Sequence, residues 1–288
     1  ECNVFLRAKN VESFSKLSSY MCMEQEKLNG MSTDNLALRQ LEDYDQGRPG
    51  TLFAGGIELS VDQAYALQSA VVNLRCKRGE KVIGYKVGCT SPAIRSQLGI
   101  DHCIMGRLFE SEQFVSGASV SGKAYAGLAC EGELAIELSR PPTPRDFQTK
   151  GLPDCVSRVF PVIELHQYVI RSQKPDAAEF IANYALHAGV VAGSGIKALD
   201  HGTPSLSLYK DGILLETCSS ITLTTTIASS LRWLMHHLNV MGIEMRAGQM
   251  ILTGSVLGLF SIKETCFLRM KSQPFGEVEA FIEYEKVV

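Results

Sequence analysis

The run Leu128-Ala-Cys-Glu-Gly-Glu-Leu-Ala-Ile-Glu-Leu138 decides how this chain is read. Its apolar residues alternate, the mark of a strand with one buried face. Leu128, Cys130, Leu134, Ile136 and Leu138 share one side, and Glu131, Glu133 and Glu137 share the other. Side chains two apart on a strand lie roughly 7 Å apart, so Glu131 and Glu133 repel unless something cationic stands between them. Two readings are open. Either the face is solvated and merely carries acids, or the pair holds a hard divalent ion through oxygen.

Similar runs surround this strand. Segments 82–87, 159–169, 189–192, 206–209 and 250–253 are short, apolar and bounded by Gly, Pro and Ser, and 266–270 and 278–284 alternate like paired strands. Two stretches read as helices. One opens at Ser60, an N-cap whose capping box is completed by Gln63, carries Ala64, Leu67, Val71 and Leu74 as its stripe, and stops at Arg78-Gly79. The other spans about Thr225 to Met241, with Gly242 just past its end. Strands outnumber long helices, so the expected fold is α+β and β-rich, not a doubly wound sheet. From Met31 the text reads like an ordinary protein start. Residues 1–30 are therefore expected to be an extension, and 31–288 a single domain.

Composition narrows the class. With 45% hydrophobic and 20% charged residues in 288, the chain has material for a real core. A net charge of −3 without a basic block argues against nucleic acid. No apolar run approaches the ~18 residues of a membrane span. The nine cysteines are scattered, with no C-x-x-C pair, which argues against zinc or a disulfide framework and for a reducing compartment such as the cytoplasm.

Several motifs carry two readings each. Gly193-Ser-Gly195-Ile-Lys-Ala198 fits a loose dinucleotide fingerprint, but the helix that the fingerprint requires is broken at once by Leu199–Pro204, so it reads as a turn. His236 and His237 are adjacent on a helix and point different ways, as a surface pair would. Lys86, inside the apolar strand Ile83-Gly-Tyr-Lys-Val-Gly88, either snorkels outward or presents an amine to a metal-bound anion. Glu164, in Phe160-Pro-Val-Ile-Glu-Leu165, is a lone acid in an apolar strand and needs a cation, hydrogen bonds or solvent.

Taken in order, these pieces resemble the hydratase/decarboxylase branch of the fumarylacetoacetate hydrolase superfamily (the 2-keto-4-pentenoate hydratase / 4-oxalocrotonate decarboxylase type), from about residue 36 to the end. Gly84-Tyr-Lys-Val-Gly-Cys-Thr-Ser91 is similar to its glycine-lysine-glycine motif. Gln97–Asp101 and Gly106–Phe109 follow in its order. Glu131-Gly-Glu133 resembles its E-x-E metal pair, and Glu164 falls where its third carboxylate stands. Asn183 matches an asparagine of its D-N-A-S segment. Trp233-Leu and Ala247–Ser255 match its late helix and I-L-T-G loop.

The resemblance implies a β-rich sandwich or roll with a small helical N-terminal part. It implies Mg²⁺ or Mn²⁺ on Glu131, Glu133 and Glu164, with Lys86 as the catalytic residue that assists proton transfer or holds the substrate carboxylate. Asn183, Thr253, Gly254 and Ser255 would bind a small 2-oxo or 2-hydroxy-dienoate substrate. A homo-oligomer is implied as well. The implied reaction is hydration of a 2-hydroxypentadienoate-like substrate to a 4-hydroxy-2-oxo acid, or alternatively decarboxylation of a 4-oxalocrotonate-like diacid. Hydrolysis of acylpyruvates, seen in sister branches, goes with a lid histidine soon after the glycine motif, and none precedes His102 here. The chain departs from the pattern at Ala182-Asn-Tyr-Ala185, at Gln249 and at Thr225-Thr-Ile227. These departures keep a weakly active paralogue with a binding or scaffolding role among the readings.

Overall fold

The computed structural model describes residues 25, 27–148, 151–197 and 203–284. Most of the extension expected over 1–30 lies outside the described residues. In chain order the helices are α1 Thr33–Asp45, α2 Thr51–Ala54, α3 Val61–Lys77, α4 Pro92–Leu98, α5 Ala177–Ala182 and α6 Thr222–Val240. The strands that matter most are β1 Val82–Gly88, β2 Ile104–Phe109, β5 Leu128–Leu138, β6 Val156–Gln167, β7 His187–Ala192 and β11 Met250–Leu252. The chain divides into two compact units. One takes the described residues up to Leu74 together with Ile170–Ala182, and the other takes Arg75–Val169 and the described residues from Asn183 onward.

The first unit is helical. The capping box at Ser60 forms in full, with the Ser60 N–H donating to Gln63 Oε1 at 2.8 Å and the Gln63 N–H to Ser60 Oγ at 3.2 Å. Ala64, Leu67 and Val71 are buried along α3, as their spacing predicts. The C-terminal carbonyls of α5 lack intrahelical partners by geometry. Two buried glutamines satisfy them. Gln40 Nε2 donates to Ala182 O at 2.7 Å, and Gln68 Nε2 to Ile181 O at 2.6 Å.

The second unit is built on two sheets. The larger runs β2-β1-β11-β5-β6-β7-β3, where β3 is Gln113–Val115, with the short strands β8 (Ile196–Lys197) and β12 (Phe260–Ser261) attached to β6 and β5. The smaller is made of β4 (Ala118–Ser121), β9 (Ser205–Lys210), β10 (Ile213–Ser219), β13 (Cys266–Gln273) and β14 (Gly276–Glu283), in the order β10-β9-β13-β14-β4. Its strands β13 and β14 pair antiparallel and pack across β6, which gives the expected sandwich. The α+β class read from the sequence therefore holds. Between β5 and β6 the core includes Ala135, Phe160 and Val162, all fully buried.

Three details correct or sharpen the sequence reading. The late helix begins at Thr222, three residues before the expected start, and ends at Val240 with Gly242 at φ +69° beyond it. Its buried residues Leu223, Ile227, Leu231, Leu234 and Leu238 form the apolar stripe. His236 is exposed while the His237 ring stacks on Trp233, so the pair does diverge. The Gly193–Gly195 turn leads into β8 and opens no helix. Gly195 is explained by packing, because a Cβ there would come within 2.4 Å of Val159 O.

Candidate active site

The central strands of the larger sheet place the unusual polar residues together. β5 and β6 pair antiparallel with Glu131 opposite Glu164 and Ala129 opposite His166. β6 and β7 pair with His166 opposite His187. Opposed residues share a face, and residues two apart on one strand share it too. Glu131 and Glu133 of β5, Glu164 and His166 of β6 and His187 of β7 thus point to one side of the sheet. β1 reaches this cluster through β11, since Lys86 pairs with Leu252 and Leu252 with Ala135.

The face is not a solvated one. Glu133 and Glu164 are 0% exposed and Lys86 is 4% exposed. The snorkelling reading of Lys86 therefore fails, as does the reading of a wet acidic strand. Buried charges persist only when paired, and here each solves the other's problem. Lys86 Nζ stands 3.0 Å from Glu164 Oε1, donates to Ala185 O at 3.0 Å and lies 3.3 Å from His166 Nε2. His187 Nδ1 donates to Glu164 Oε1 at 2.7 Å. The carbonyl of Ala185 is delivered by a strained turn in which Tyr184, Ala185 and Leu186 all have positive φ, a conformation costly for residues with a Cβ. Gly106 permits it, because a Cβ there would sit 2.2 Å from Tyr184 O.

The electrostatics follow from burial and neighbours. Burial, with the Glu164 carboxylate beside it, pushes Glu133 well above the usual carboxylate range. Burial would push Glu164 up as well, but the Lys86 ammonium and His166 outweigh it and hold Glu164 well below that range. Burial works against the Lys86 charge, yet Glu164, Glu131 and Glu133 raise it above the ordinary lysine value. His166 loses to burial and to Lys86 but gains more from Glu164 and Glu131, and it is raised.

The donor set fits a divalent cation. Glu131, Glu133 and Glu164 bring three carboxyl groups to the face that the Lys86 ammonium approaches. Glu133 Oε1 and Glu164 Oε2 are buried without a hydrogen-bond partner among the described residues. One oxygen each from Glu131 and Glu164 and one ring nitrogen of His166 lie within 4.8 Å of one another.

The other expected site residues fall nearby with different duties. Glu133 Oε2 accepts from the Gly254 N–H at 2.5 Å. Thr253 and Ser255 spend their hydroxyl hydrogens on backbone carbonyls. Thr253 Oγ1 donates to Leu134 O at 2.7 Å, and Ser255 Oγ has Leu257 O at 2.9 Å and Gly132 O at 3.0 Å as acceptors. Thr253 O in turn accepts from Ser230 Oγ of α6 at 2.7 Å. Asn183 is buried at the start of the strained turn. The sequence reading missed His166 and His187. His166 carried a signal of the same kind as Glu164, a polar residue two positions along the same apolar strand. His187 carried none, because only pairing of β6 with β7 brings it to Glu164.

No family model matches the chain. The fold is shared with a 4-oxalocrotonate decarboxylase from Pseudomonas putida G7, solved in complex with magnesium and adipate. The match has a TM-score of 0.78 at 21% identity and covers 87% of this chain and 97% of that one. Sequence similarity reaches further. A 2-hydroxyhexa-2,4-dienoate hydratase of Comamonas testosteroni is 30% identical over 213 residues, 70% of this chain and 78% of the relative. A 2-keto-4-pentenoate hydratase of Burkholderia vietnamiensis (strain G4 / LMG 22486) is 28% identical over 220 residues, 75% of this chain and 84% of the relative. The sequence relatives, with the shared fold, make this a protein of the fumarylacetoacetate hydrolase superfamily. Within it, the chain belongs to the hydratase/decarboxylase family.

Proposed function

We propose that this protein is a divalent-metal-dependent lyase that hydrates a 2-hydroxy-2,4-dienoate to a 4-hydroxy-2-oxo acid. The observation that carries this reading is the buried Lys86 ammonium set against three convergent carboxylates. Glu131, Glu133 and Glu164 would hold Mg²⁺ or Mn²⁺, which suits oxygen ligands. The ion supplies a Lewis acid for the carboxylate and 2-oxygen of a 2-oxo acid.

The chain's own residues do the rest. Lys86 is the proton carrier, and a proton delivered to the far carbon of the dienol converts it into a conjugated enone to which water adds. Its partners Glu164 and Ala185 O hold the amine in place between deliveries. Glu133 keeps the Gly254 loop against β5 through the Gly254 N–H. Asn183, Thr253, Gly254 and Ser255 would bind the substrate, with the Gly254 backbone held in place by Glu133. Burial of Glu133, Glu164 and Lys86 keeps bulk water from competing for the transferred proton.

A decarboxylase is the second reading, favoured by the shared fold with a 4-oxalocrotonate decarboxylase. Loss of CO₂ from a vinylogous β-keto acid produces the same dienolate, so the ligand set serves both reactions. Residues 31–288 form the catalytic part in this reading, acting as a homo-oligomer in a reducing compartment such as the cytoplasm. Seven free cysteines among the described residues support that compartment. No helix among the described residues is long and apolar enough to cross a membrane.

The test is incubation of the Mg²⁺- or Mn²⁺-loaded protein with 2-hydroxypenta-2,4-dienoate and, separately, with 4-oxalocrotonate. Dienoate consumed without CO₂ is the expected result. CO₂ from the diacid, with the monoacid untouched, would replace hydration by decarboxylation. No turnover of either would leave the scaffolding reading.

A further inference from the structure

His166 occupies a position that neither the acid–base role of Lys86 nor the three carboxylates require. It is 4% exposed near the C-terminal end of β6. Its Nε2 lies 3.3 Å from Glu131 Oε2 and 3.2 Å from Glu164 Oε2. An imidazole N–H could donate to one of these oxygens. Yet Glu164 Oε2 has no hydrogen-bond partner among the described residues, so its approach to Nε2 lacks hydrogen-bond geometry. The ring's Nδ1 likewise has no partner, while the Lys86 ammonium lies 3.3 Å from Nε2 and faces it as a cation faces a lone pair.

The contact with Glu164 Oε2, close but without hydrogen-bond geometry, is arranged as that of neighbouring ligands is. Around a six-coordinate ion with bonds of about 2.1 Å, adjacent ligand atoms stand about 3.0 Å apart. The separations of Nε2 from the two carboxylate oxygens are close to that edge length. The set Glu131, Glu164 and His166 also comes from facing positions on two paired strands, so it is fixed by sheet register and not by flexible loops.

We propose that His166 is a nitrogen ligand of the metal centre, and that it tilts the site from Mg²⁺ toward a first-row transition ion such as Mn²⁺. The proposal rests on the metal-dependent reading above. Imidazole suits transition ions, whereas carboxylate and water alone suit Mg²⁺ as well. A mixed nitrogen–oxygen set therefore discriminates between ions that an all-carboxylate set holds alike. His187 has a different place, because its Nδ1 is engaged with Glu164 Oε1 and it serves to orient that carboxylate.

The experiment uses the full chain, stripped of metal and then loaded with Mn²⁺ or Mg²⁺. Pulsed electron paramagnetic resonance on the Mn²⁺ form should show coupling to a directly bound ¹⁴N, changing to the ¹⁵N pattern when histidine is labelled. The coupling should persist in His187→Gln and vanish in His166→Gln. Calorimetry should show Mn²⁺ affinity falling at least about tenfold in His166→Gln, with a smaller fall for Mg²⁺. Because the spectroscopic arm uses the unaltered protein, it stands even if a variant fails to fold. Mn²⁺ bound without nitrogen coupling would overturn the ligand role of His166 and leave the lyase reading intact. Failure of the unaltered protein to bind either ion would overturn both.

Discussion

Lys86 Nζ and Glu164 Oε1 meet at 3.0 Å with both side chains buried, although they lie on strands that are not neighbours in the sheet. The pair explains two sequence anomalies at once, since each residue alone would be a costly charge in an apolar strand.

Lys86→Ala should reduce turnover by about 10²–10⁴-fold, the range for loss of an acid–base group. It should also destabilise the fold by about 3–5 kcal/mol, because Glu164 is left buried without its cation. Steady-state kinetics and denaturant unfolding check the two effects, and metal binding should survive. Full activity in this variant would remove Lys86 from the chemistry.

His187→Leu should weaken divalent-ion binding by about 10–100-fold, the usual effect of losing a group that orients a metal-binding carboxylate. The contact concerned is the 2.7 Å bond from His187 Nδ1 to Glu164 Oε1. Calorimetric titration of the stripped protein measures it. Unchanged affinity would mean that Glu164 is held well enough by Lys86 alone.

Gly106→Ala should be far more damaging than a methyl group suggests. The new Cβ would approach Tyr184 O to 2.2 Å, and that atom belongs to backbone that cannot swing aside. The strained turn at Tyr184–Leu186 must move, and the carbonyl of Ala185 then leaves Lys86. A loss of about 1–3 kcal/mol is expected for such overpacking, with a fall in kcat that Ala substitution at the unobstructed Gly117 should not produce.

Stability should fall on acidification for a reason remote from the site. Arg75 and Arg78 overcome the effect of burial on Glu80 and hold its carboxyl at about 2, and Arg140 likewise holds Asp146 at about 2. The ordinary values of these groups are 4.5 and 3.8. A carboxyl depressed in the folded state adds stability above its unfolded value and loses it as pH falls toward its folded value. The decline should therefore run from about pH 5 down to about pH 2. Glu80→Gln should flatten part of it in a series of thermal melts, and an unaltered acid limb would rule Glu80 out.

The sequence by itself determined the elements. Alternation in 128–138 fixed β5 to the residue, because side chains alternate along a strand with a period of two that no other local structure imitates. The Ser60 and Gln63 side chains fixed the start of α3 through hydrogen bonds confined to one turn. The lone charges Lys86, Glu131, Glu133 and Glu164 stood out because apolar strands rarely carry unpaired charge, and the family resemblance drew them together as a site. Tertiary structure alone decided how they combine. Only the register of β5, β6 and β7 sets Glu131 against Glu164 and brings His166 and His187 to that carboxylate. Only the fold shows that Thr253 and Ser255 tie their hydroxyls to backbone carbonyls. The reason is physical. Local pattern reports which face of a strand is buried, whereas the partner of a buried charge is chosen by residues far away in the chain.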